Sequence, residues 1–156
     1  MDSWLNGINC KELQFIATPL SILDSGSEED SEMAASFLYK DGRSRPMMSA
    51  NKNKKMIDFI KKELDGRPPK SYWEHVKKEI YQLVCSSDKK YEALRKQLKA
   101  AKEKGTKSIV IIIASYFGAQ LGVEAGAIAG FCAIAINSIV KLGKETYCSI
   151  NKGIYL

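Results

Sequence analysis

Histidine is almost absent: His75 is the only one in 156 residues. The four cysteines, Cys10, Cys85, Cys132 and Cys148, contain no Cys-x-x-Cys pair. Common zinc frameworks need clustered Cys and His, so this pattern excludes them. No Gly-x-Ser-x-Gly, His-Glu-x-x-His or kinase signature occurs either. Without a nucleophile tied to it by a motif, His75 reads as a helix-surface or core-edge residue rather than a general base. Neither an enzyme nor a cofactor is expected. The chain also lacks a charged segment followed by an apolar one near Met1. That lack sets an expectation of cytoplasmic residence with reduced thiols, Cys132 being a small buried residue.

What is present is charge arranged in blocks. Residues 1–50 hold four Lys/Arg against eight Asp/Glu, a net of −4. Residues 51–104 hold sixteen against eight, a net of +8. Residues 105–156 hold four against two and contain the longest apolar stretch, Ile109 to Val140. Three regions follow: an irregular acidic segment, a set of basic amphipathic helices, and a hydrophobic segment. A basic block beside an apolar one points to anionic partners, either lipid headgroups or nucleic acid.

Hydrophobic periodicity predicts an all-α protein, a small helical bundle. In the first region a short helix is expected from Glu28 to Leu38, after the acidic break that begins at Asp24. That region reads as a lid over a helical core, or alternatively as a segment that docks on a partner. Met56, Ile57, Phe59, Ile60 and Leu64 share a face over residues 53–64, and Gly66 with Pro68-Pro69 reads as a stop. Ser71, with Glu74 three residues on, has the form of a capping box. The helix it opens would bury Trp73, Val76, Ile80, Leu83 and Val84, leaving Glu74 and Glu79 to pair with lysines. Ser87 or Asp88 restarts a third helix through Tyr91, Leu94, Leu98 and Ala101, ending at Gly105.

Within the apolar stretch, Gly118, Gly122, Gly126 and Gly130 recur every four residues, one step after Ala114. On one continuous helix these positions share a face. Four interior glycines cost about 4 kcal/mol relative to alanine, which close backbone packing would offset. In membranes that packing is the glycine-zipper mode of helix association. The β-branched run at Ile109 also admits a strand, but the glycines fit neither a dinucleotide fingerprint nor a phosphate loop. A buried helical hairpin breaking near residues 122–126 would have arms of about sixteen residues, or about 24 Å. A membrane span is the third reading. Its aliphatic gain of roughly −4 kcal/mol is nearly cancelled by Glu124, Gln120 and the glycines. Such a balance suits a conditional inserter, and in a hairpin Glu124 would be a tip residue in water.

Lys89, Lys90, Arg95, Lys96, Lys99, Lys102, Lys104 and Lys107 lie immediately before this stretch. They would contact anionic lipid, or else the phosphates of nucleic acid. Tyr72, Trp73 and Tyr91 have the spacing of helix packing rather than of base stacking, and no nucleic-acid-binding signature accompanies them. The expectation is a small membrane-active effector or toxin, of a kind suited to antiviral defence. It would be cytoplasmic and conditionally at the inner membrane, self-associating or held by a protein partner. The alternative is a soluble basic helical adaptor for nucleic acid or protein, with the apolar segment as its core.

Overall fold

The computed structural model describes residues 3–21, 26–39 and 68–154. The helix expected over residues 53–64 lies outside them. Among the described residues the protein is all-α, with no strand. Seven α-helices appear there: α1 Cys10–Ile16, α2 Glu28–Ser36, α3 Lys70–Cys85, α4 Glu92–Ala101, α5 Thr106–Leu121, α6 Ala125–Leu142 and α7 Lys144–Asn151.

Local chemistry explains most of the boundaries. Asn9 Oδ1 accepts from the Lys11 N–H and opens α1, while the Asn9 N–H donates to Thr106 Oγ1 at 2.7 Å. Ser27 Oγ accepts from the Asp30 N–H at 3.1 Å to open α2. The first turn of α2 is Glu28, Glu29 and Asp30, which complements the positive helix end. The proposed capping box at Ser71 is a correction. α3 already begins at Lys70 after Pro69, and Ser71 is an exposed residue of its first turn. The ring of Pro69 supplies the fixed extended entry, so Pro69 starts this helix. Of the two candidates, Ser87 and Asp88, it is Asp88 that caps a 3-10 turn at Lys89–Tyr91 leading into α4.

α6 is the centre of the molecule. It packs against α1, α2, α3, α5 and α7. Every residue from Phe131 to Ile139 is buried. A helix apolar on all sides must sit inside a protein or a bilayer, and here five helices enclose it. α5 returns antiparallel beside it, so Ile109 to Ile113 is helical and not a strand. The N-terminal region is a true cover. Trp4, Leu13, Ala17, Leu20, Ala34 and Ala35 join the core despite the irregular look of their sequence.

α7 was not anticipated, and neither was its tether. Cys85 at the end of α3 and Cys148 in α7 form a disulfide with a Cα–Cα distance of 5.6 Å. This corrects the expectation of four reduced thiols, because the fold brings together two cysteines 63 residues apart. Cys10 and Cys132 are free, and Cys132 is buried as expected.

Candidate functional site

The hairpin α5–α6 turns on a short glycine-dependent motif. Gly122 takes a left-handed conformation at φ 73°, ψ 29°, which costs an L side chain free energy but glycine little. Its N–H bonds to Ala119 O at 3.4 Å, and the Val123 N–H bonds to Gly118 O at 2.8 Å. This is the double hydrogen bond of a Schellman helix end. Chain reversal then lays the Val123 carbonyl over Gly118, where a Cβ would meet it at 2.7 Å. Glu124 follows in extended geometry and opens α6 at the exposed tip.

The repeat of small residues therefore does several jobs in this fold. Ala114 is buried in α5. Gly118 and Gly122 make the turn. Gly126 is exposed, with nothing within 4 Å of an added Cβ. Gly130 faces the cover, where a Cβ would meet Leu38 Cδ1 at 2.7 Å and Ile16 O at 3.9 Å. One continuous groove of four glycines is not assembled here, because Gly122 ends the helix that such a groove requires.

The cover is fastened to α6 through α3. The Trp73 indole N–H donates to Glu32 Oε2 at 2.6 Å, and Lys77 Nζ meets Glu32 Oε1 at 3.1 Å. The Trp73 ring lies 5.8 Å from that of Phe131 on α6. Lys77 also pairs with Glu74 at 3.1 Å, as the sequence implied. On the other side, His75 Nε2 meets Gln120 Oε1 of α5 at 2.9 Å, and its ring stands edge-on to Phe117. His75 is thus a core-edge packing residue.

Beneath α4 sits a buried carboxylate. Glu79 is 5% exposed, accepts from the Tyr91 hydroxyl, and pairs with Lys90 Nζ at 3.1 Å. Burial alone raises the Glu79 carboxyl, but the hydrogen bonds from Tyr91 and Lys90 outweigh it and hold the group below its usual range. Burial, and then the neighbouring carboxylate, push the Tyr91 phenol well up. Tyr116 of α5 closes the layer by donating to Lys90 O at 2.9 Å.

The eight basic residues divide into two groups. Lys90 is engaged with Glu79 and stands 5.0 Å from the Tyr91 ring centroid. Arg95 donates to Leu83 O, Asp88 O, Gln82 O and Ser86 O at 2.7 to 3.3 Å, closing the C-terminal end of α3. Lys89, Lys96, Lys99, Lys102, Lys104 and Lys107 are exposed. Lys96 and Lys99 also border an open groove of about 630 Å³ beside the Cys85–Cys148 disulfide. Among the described residues no group of three or more His, Cys, Asp or Glu side chains is placed to hold a metal. No protein-family model matches the chain, and comparisons with curated proteins and with solved structures find no match either.

Proposed function

We propose that this chain is a conditional membrane-active effector, toxin-like in mode, whose hairpin α5–α6 is held covered until released. The observation that carries the reading is the hairpin itself. α6 has 18 residues and is apolar enough to cross a bilayer, and α5 adds 16. Their lengths of about 27 Å and 24 Å compare with about 30 Å of hydrocarbon. The turn is already formed, and Glu124 at its tip is the one charge that insertion must carry across.

Energetics support a lipid destination. Burying Ile128, Phe131, Ile134, Ile136 and Ile139 contributes about 1.5–3 kcal/mol each relative to water. Opening the cover in water forfeits roughly 10 kcal/mol, so the hairpin stays shut there. Lipid tails are as apolar as a leucine core, so a bilayer removes most of that penalty. Both feet of the hairpin are basic, with Lys102 and Lys104 before α5, Lys107 in its first turn, Lys141 in the last turn of α6 and Lys144 just beyond it. Paired basic feet suit a hairpin that leaves both ends on the cytoplasmic side. Within the bilayer, the exposed Gly126, together with Gly130 once the cover that meets it has left, is available for helix association between copies.

The decisive experiment is flotation and dye leakage with anionic and with zwitterionic vesicles. Binding and leakage confined to anionic vesicles support the reading. A second reading, a soluble basic adaptor, rests on the unbroken burial of residues 131–139 in the closed fold. Salt-sensitive binding to nucleic acid, with no vesicle binding, would establish that reading instead.

A further inference from the structure

A pocket of about 190 Å³ lies where α2, α3, α6 and α7 meet. Its exposed wall is mainly apolar, formed by Trp73, Ala135, Leu142, Tyr147 and Ile150, and its polar lining includes Ser31 and Glu32. Ser31 is only 7% exposed, yet its Oγ has no hydrogen-bond partner. Buried hydroxyls are almost always paired. Ser31 Oγ has almost no accessible surface, so it meets a polar ligand atom by turning about its Cα–Cβ bond toward the pocket. Glu32 is already oriented by Trp73 and Lys77, which leaves each of its oxygens a further lone pair.

We propose that this pocket binds a compact amphiphile: one ring or a branched aliphatic group bearing a single hydroxyl or amine. Size sets the body. A cavity of about 150 Å³ accepts benzene, so 190 Å³ accommodates a ring with a one- or two-atom substituent. Charge sets the head. Glu28 and Glu32 line the pocket against one cation, Lys77, which Glu74 also engages. An anionic head is therefore repelled, while a hydroxyl or ammonium can bond to Ser31 Oγ once that hydroxyl turns into the pocket. The ring packs against Trp73 and Ala135, tying the cover helix α2 to the central helix α6. Binding requires the closed fold and stands independently of what that fold does at a membrane.

The full chain is titrated with benzyl alcohol, benzylamine and benzoate, followed by calorimetry and by thermal unfolding. The alcohol and the amine are expected to saturate with a dissociation constant of about 1 mM or tighter and to raise the unfolding temperature. Benzoate is expected to do neither. Ile150→Trp, placed at a half-exposed wall position, fills the pocket without disturbing the core and should abolish binding. Ser31→Ala should weaken the alcohol about threefold to tenfold and leave toluene unchanged. Benzoate binding as well as the alcohol, no saturable binding by the alcohol or the amine, or unaltered binding to Ile150→Trp would each overturn the assignment.

Discussion

The backbone carbonyl of Val123 stands 2.7 Å from the point where a Cβ on Gly118 would lie. Those two residues are five apart and belong to the same reversal, so Gly118 is required by the turn and not by a neighbouring helix. At Gly126 nothing lies within 4 Å of an added Cβ. The glycines are thus unequal, and substitution separates them.

Gly118→Ala is expected to destabilise the soluble protein by about 1–3 kcal/mol, since the clash is with backbone that cannot step aside. Gly122→Ala should cost about 1–2 kcal/mol for its left-handed geometry. Gly126→Leu should leave denaturant stability nearly unchanged. If Gly126→Leu also keeps vesicle binding but loses crosslinking between copies in the membrane, helix association through that position is established. Crosslinking equal to the parent would remove Gly126 from any such contact.

The disulfide closes a loop of 63 residues across α3 to α7. The chain-entropy relation assigns such a loop about 4 kcal/mol. Replacing Cys85 and Cys148 together with serine should lower unfolding free energy by that order. Reductant should bring the parent to the same midpoint and leave the double variant unmoved. A parent indifferent to reductant would show that the bond contributes nothing to stability.

Glu79 and Tyr91 bracket the pH range of the fold. Glu79 titrates lower in the folded state than its ordinary value of 4.5, so its stabilisation is present above that value and is lost as pH falls through the lower one. Tyr91 titrates higher than its ordinary 10.0, so its contribution is complete below pH 10.0 and declines as pH rises beyond it. Denaturation curves should therefore be flat near neutrality, fall in acid below about pH 4, and fall in alkali above about pH 10. Tyr91→Phe should remove the alkaline decline. Persistence of that decline in the variant would assign it to another group.

Basic residues should sort by role. Reversing Lys96, Lys99 and Lys102 to Glu is expected to weaken binding to anionic vesicles by about 1 kcal/mol per residue, with the fold intact by circular dichroism. Arg95→Ala should instead destabilise the protein by about 1.5–3 kcal/mol, because it strips a charged donor from the carbonyls that end α3. Equal effects of the two changes on stability would contradict the division drawn from their hydrogen bonds.

Much of this fold was legible locally. Asp88, Gly105 and Gly122 mark helix ends, because a cap involves residues within about one turn of each other. The cap read at Ser71, by contrast, is overturned, and the helix that Pro68-Pro69 would stop lies outside the described residues. Apolar spacing in α3 and α4 named the buried faces, since helical periodicity depends on the backbone alone. The break near Gly122 was readable for the same reason. The glycine repeat misled where a local device and a long-range one share a spacing: four residues describes both a zipper face and two successive positions in a helix end.

The linear sequence by itself determined that the described residues would be helical, roughly where α2, α3, α4 and the break between α5 and α6 fall, and that charge and apolarity would be segregated. Tertiary structure alone decided that Cys85 meets Cys148, that Arg95 is spent on carbonyls while Lys96 is exposed, that Tyr91 reaches Glu79, and that Ser31 borders a pocket without a partner. The physical reason is range. Capping and periodicity act within a turn or two of helix, whereas these pairings join residues whose separation only the packing of α6 inside its cover brings to bonding distance.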